Sequence, residues 1–265
     1  MAGVGAASLP PGLQLGLAGA GMALLGLPHG ASDLQLITPA RRPAFVATYL
    51  AAVGLVVLLW LATPVFALAA LLSLSAIHFA TDRPADRDPA ASWSLGVLLV
   101  AGPAVLHRND LTELFQSMTE ASRAAADLAA GLCGSGLIAL LLLAIRVAVH
   151  RYRPDPASLF GIAALLFLPP LVGFTLGFIL LHAWPQLIER QNELRCRSLS
   201  AYARLTAPVM VGAAAVLVAM ALLFRTLPSA PATLLFAAIA ALATPHMLVT
   251  PLWRTGTTSR LPVRA

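Results

Sequence analysis

The chain has 265 residues, 59% of them hydrophobic and only 11% charged, with a formal charge of +6. Soluble domains carry about a quarter charged residues, so this composition excludes an ordinary soluble enzyme and predicts a polytopic integral membrane protein. All 17 basic residues are arginines scattered between apolar stretches, which argues against a nucleic-acid-binding patch.

Residues 1–10 are small and uncharged and read as a loose N-terminus. They lack the basic segment and cleavage site of a removable leader, so the first span, Leu13 to Leu27, is expected to be retained. Gly12 and Gly16 have the spacing of a helix-packing seam. A basic loop at Arg41 and Arg42 leads to a second span, Phe45 to Leu61, and Thr63-Pro64 opens a third, Val65 to Phe79. Trp93 to Leu106 is the fourth. Leu111, Leu114, Phe115 and Met118 then follow helical spacing in the polar stretch 107–130, which predicts a helix lying at the membrane interface. Leu132 to Val149 is the fifth span. Pro169-Pro170 interrupts the apolar stretch 158–187, because proline cannot continue an α-helix. A charged loop over 189–204 precedes Pro208 to Phe224 and Leu234 to Val249. The expected fold is therefore all-α: a helical bundle of eight to nine passes with a proline-broken helix, forming one transmembrane domain over 11–252, then a basic tail over 253–265.

Loop charge decides the ambiguous stretch. If 158–187 crosses twice and the N-terminus is outside, fourteen of the 17 arginines fall inside and only Arg108, Arg123 and Arg225 fall outside. A single crossing would move seven of those fourteen outside, so the positive-inside rule favours two passes in the cell inner (plasma) membrane. That same topology brings His29, His78, His182 and His246 to the cytoplasmic ends of their spans. A lone histidine at a helix end is ordinarily an interfacial residue; four of six on one side is a different matter. Four imidazoles offer a metal four neutral donors, which suits iron, copper, zinc or nickel. Asp33 and Asp82, each four residues after a histidine, are expected to orient ligands by accepting their other N–H, more naturally from another helix than from their own. His107 and His150 read as interfacial. Cys133 and Cys196 lack the spacing of a disulfide framework or a thiolate metal site.

Pro28-His29-Gly30-Ala31-x-Asp33, Ser75-Ala76-x-His78-Phe79, Gly173-Phe174 with Phe178 and His182, and Pro245-His246-Met247 together resemble the Brp/Blh β-carotene dioxygenases. The resemblance runs from about residue 20 to 250. It implies a membrane enzyme that cleaves the central double bond of β-carotene with O2 to give retinal. It also implies His29, His78, His182 and His246 as catalytic ligands of Fe(II), a carotenoid substrate drawn from the bilayer, and room for a functional link to a retinal-binding protein. The chain departs from the family pattern at Ile77, Ala80, Gly177 and Ala183. The alternative is a non-enzymatic membrane protein, either a metal or small-solute transporter or a bis-histidine haem protein. A Schiff-base retinal receptor is excluded, because there is no lysine.

Overall fold

The computed structural model describes residues 10–82, 88–227 and 230–253. The expected loose segment through residue 9 and the tail from residue 254 lie outside the described residues, as do Arg83, Arg87, Arg254, Arg260 and Arg264.

The first apolar stretch is one unbroken helical run: α1 (Pro11–Gly21), a π turn (Met22–Gly26) and the short α2 (Leu27–Ala31). Then come α3 (Asp33–Leu36), a 3-10 turn (Pro39–Arg41), α4 (Arg42–Ala62), α5 (Pro64–Thr81), α6 (Pro89–Thr119) and α7 (Ser122–Ala148). α8 (Pro156–Phe167) and α9 (Pro170–Phe178) follow, and α9 runs through a second π turn (Ile179–Ala183) into α10 (Trp184–Glu193). α11 (Leu199–Phe224) and α12 (Pro231–Trp253) complete the bundle. Pro64, Pro89, Pro156 and Pro170 each open a helix, where the missing N–H is one that the first turn leaves unpaired anyway.

Seven helices among the described residues are long and apolar enough to cross a membrane. Leu55, Phe66, Leu141, Phe160, Val211 and Leu222 each expose more than half of their surface. An apolar exterior of that kind suits lipid and not water, and the protein is a multi-pass membrane bundle. α6 is its centre, with 67% of its apolar window buried against 11% for α11 at the periphery.

Pro169 produces a reversal. Leu168 and Pro169 are extended, and α9 folds back antiparallel on α8, with Gly173 beside Ala164, Gly177 beside Leu165 and Gly161 beside Leu181. The stretch 158–187 thus turns on itself, although α8, at 12 residues, is shorter than the seven helices long enough to cross a membrane.

Three local expectations need correction. Residues 107–130 do not form a helix of their own. α6 continues to Thr119, kinked at His107 one turn after Pro103, and reverses at Glu120, which takes a left-handed φ of 56°. Leu111, Phe115 and Met118 pack inward with Ala125 and Ala129 of α7, and this inward face has the same helical spacing as an interface helix would. The charged loop 189–204 shrinks to 194–198, because α10 and α11 carry most of those charges as helix. A Cβ at Gly12 or Gly16 would meet nothing, so the pair is no seam within this chain. At Gly21 and Gly26 it would meet Thr175 and Phe178.

Asp88 caps α6, its Oδ1 accepting from the backbone N–H of Ala90 and Ala91 at 3.0 and 3.2 Å. The Arg146 guanidinium of α7 donates to its Oδ2, from Nε at 2.8 Å and also from Nη2, and holds the Asp88 carboxyl below its ordinary range. A depressed carboxyl pKa contributes stability above the unfolded value that is lost as pH falls through the folded one. The thermal unfolding temperature in detergent should therefore drop below about pH 4, and Asp88→Asn should remove that part of the dependence. A Cβ at Gly173 would lie 2.5 Å from the Ala164 carbonyl oxygen. Gly173→Ala is expected to destabilise by about 1–3 kcal/mol, whereas Gly131→Ala, whose Cβ would meet nothing within 4 Å, should leave the melting temperature unchanged or raise it.

Candidate metal centre

His29, His78, His182 and His246 come from four separate parts of the chain and form one ring. The centroids of His29 and His182, His29 and His246, and His78 and His246 are 5.2 Å apart, and those of His78 and His182 are 5.1 Å apart. Interplanar angles of 70–84° set neighbouring rings edge to face. His107 and His150 stay outside this group: His107 sits at the α6 kink beside Asp110, and His150 is exposed.

Local structure explains how each imidazole reaches the centre. His29 follows Pro28 directly after the first π turn, and His182 lies within the second. A π turn adds one residue to a helical turn and re-aims the side chains beyond it, which is why such bulges gather at functional sites. The two turns touch, with Gly26 against the Phe178 ring. His78 stands in the last turn of α5, and His246 follows Pro245 within α12. His29, His182 and His246 are buried, and His78 is partly so.

Asp33, 2% exposed, joins His246 of another helix: Nδ1 to Oδ2 is 2.5 Å, and Thr250 Oγ1 donates to the same oxygen at 2.7 Å. Asp82 behaves differently. It caps the C-terminus of the helix that carries His78, with Oδ2 3.7 Å from His78 Nε2. The first segment is fixed by Ser32, whose Oγ donates to the His29 carbonyl at 2.6 Å, and by Tyr202, whose hydroxyl donates to the Pro28 carbonyl at 2.8 Å.

Several of these residues were invisible to sequence reasoning. Thr250 carried a usable signal, since it lies one turn after His246 on the same face. Tyr202 carried none, because its partner is 174 positions away. Arg190, within the expected charged loop, is instead buried in α10, with Nη1 donating to Glu193 Oε2 at 2.6 Å.

The histidines line one wall of a cavity of about 620 Å³. The rest of the lining is overwhelmingly apolar, from the first helical run, α4, α5, α9, α11 and α12. Phe79, Phe174 and Phe178 stand beside the ring, with Phe79 4.6 Å and Phe178 5.6 Å from His182 by centroid. Ile77, Ala80, Gly177 and Ala183 do not line the cavity.

The ring nitrogens His29 Nδ1, His78 Nε2 and His246 Nε2 are buried without a hydrogen bond. Leaving one such atom unsatisfied costs about 1–3 kcal/mol, and three in one place point to a shared partner. An imidazole whose other nitrogen is fixed by a carboxylate, as in His246, is a standard metal-ligand arrangement. The donor set therefore fits a transition metal ion.

Residues 20–254 match the protein family described as Beta-carotene 15,15'-dioxygenase. A protein of that name from uncultured marine bacterium 66A03 is 29% identical over 197 residues, which cover 64% of this chain and 69% of the relative. No solved structure matches. The family match spans both π turns and all four clustered histidines, and the chain belongs to the Beta-carotene 15,15'-dioxygenase family.

Proposed function

We propose that this protein is a membrane-embedded, non-haem Fe(II) dioxygenase that cleaves β-carotene or a related carotenoid at its central double bond with O2, giving retinal. One observation carries the reading: a ring of four imidazoles set into the wall of an apolar cavity, in a chain of this family. His29, His78, His182 and His246 would hold the iron, which when bound supplies the chemistry that activates O2.

The remaining work falls to the chain itself. Asp33 accepts the Nδ1 proton of His246 and so fixes the tautomer that presents Nε2. Thr250 holds the acceptor oxygen in place. Phe79, Phe174 and Phe178 with the aliphatic lining exclude water and offer a polyene only apolar contacts. A volume of about 620 Å³ lies within the range of ligand cavities. Each carbon of the broken double bond takes one oxygen atom of O2, so two aldehydes form with no further oxidant or reductant.

The alternatives fit less well. Neighbouring rings 5.1–5.2 Å apart leave no space for a porphyrin between them. A transporter needs a polar path across the bilayer, whereas the lining of this cavity is overwhelmingly apolar apart from the histidines, Asp33, Tyr49 and Ser75. In this reading residues 11–252 act as one domain in the cell inner (plasma) membrane, with the N-terminus outside and the metal site toward the cytoplasm. The arginine distribution supports that orientation. The retinal product would suit a retinal-binding protein as recipient.

Expression in a carotenoid-accumulating host should bleach the cells and yield retinal, detected by chromatography; persistent colour with well-expressed protein would overturn the assignment. His246→Ala should abolish iron retention, read by metal analysis, while the helical circular dichroism persists. Asp33→Asn should weaken iron binding by about 10–100-fold.

A further inference from the structure

Asp33 and Asp82 each lie four residues after a histidine, yet they meet opposite sides of an imidazole. Asp33 takes Nδ1 of His246 and leaves Nε2 as the buried nitrogen without a hydrogen bond. Asp82 stands on Nε2 of His78, and that nitrogen is itself the buried one without a hydrogen bond. A carboxylate that orients a ligand must bond the nitrogen the metal does not use. Asp82 is on the wrong side for that task.

Its position suits a different one. Asp82 Oδ2 is buried and makes no hydrogen bond. At 3.7 Å from His78 Nε2 it is beyond hydrogen-bonding distance. Two donors each about 2.1 Å from one ion are separated by about 3.0–4.2 Å, and the pair falls within that spread. Donor atoms of His78, Asp82 and His182 all lie within 4.8 Å of one another. The backbone pins the residue there. Asp82 N–H donates to the His78 carbonyl at 2.8 Å, and Gln186 Nε2 donates to the Asp82 carbonyl at 2.5 Å. Gln186 is one turn beyond His182, so the same run of chain places that imidazole and clamps residue 82.

We propose that Asp82 is itself a metal ligand, its carboxylate joining His78 and His182 on the bound ion, and not a residue that orients a histidine. The proposal rests on the metal-site reading above. An anionic oxygen donor offsets one of the two positive charges that four neutral imidazoles leave on a divalent ion, and it favours iron over a soft ion such as copper(I).

Cobalt(II) bound to the purified full-length protein tests this without reference to activity. The wild type should bind one cobalt per chain. Asp82→Cys should add a sulfur-to-cobalt charge-transfer band in the near ultraviolet that the wild type lacks, although it contains Cys133 and Cys196. Asp82→Asn should weaken cobalt binding at least about tenfold and change the ligand-field spectrum. Wild-type-like affinity and ligand-field spectrum in Asp82→Asn, or cobalt-loaded Asp82→Cys without the new band, would overturn the assignment of Asp82 and leave the four-histidine site standing. Folded wild-type protein that takes up neither cobalt(II) nor iron(II) would overturn both readings. Should Asp82→Cys fail to fold, Asp82→Asn decides alone.

Discussion

Four imidazoles gathered in an apolar interior are tolerable only if their nitrogens are satisfied, and that constraint organises the structure around them. The surroundings offer protein partners to one edge of the cluster: Asp33 binds the outer nitrogen of His246, and Thr250 donates to the same Asp33 oxygen. The inner nitrogens of His29, His78 and His246 receive no hydrogen bond. Packing alone would replace such groups with leucine at no loss, because a buried polar atom without a partner only costs stability. Three such atoms in one place fit the proposed coordination site.

The helices serve that convergence in unequal ways. α6 fills the centre, α7 packs back on it as a hairpin, and neither contributes a histidine to the ring. The first helical run and the run from α9 to α10 carry one imidazole each at a π turn, and Gly26 of the first turn packs on Phe178, the residue just before the second. α5 and α12 bring the other two without such distortion, although Pro245 precedes His246. The departures from the family pattern fall into this scaffold, away from the cavity. Ile77 faces outward at 49% exposure, Ala80 packs against Gly96, Gly177 admits Leu165, and Ala183 is fully buried.

Much of this could be read from the chain. The apolar spans, the reversal at Pro169 and the association of four histidines all follow from hydropathy, proline chemistry and loop charge. Other features are written in contacts that leave no local trace. An inward hairpin face and an interface helix share one periodicity, so Leu111, Phe115 and Met118 could not separate them. Asp33 and Asp82 are identical in spacing and differ only in which imidazole nitrogen they reach. Neither π turn has a sequence signature, and Tyr202 meets Pro28 only through the tertiary fold.

Those two bulges make the bundle behave like a pair of indexed cams. An α-helix advances about 100° per residue, so removing one position from Met22–Gly26 would swing everything before the bulge by that angle relative to His29. The same deletion in Ile179–Ala183 would turn α9 against α10 and carry His182 out of phase with Phe178. Chain length between fixed points is thus a tighter requirement here than side-chain identity. Conservative replacements along these two runs can be absorbed, but the count of residues cannot change by one.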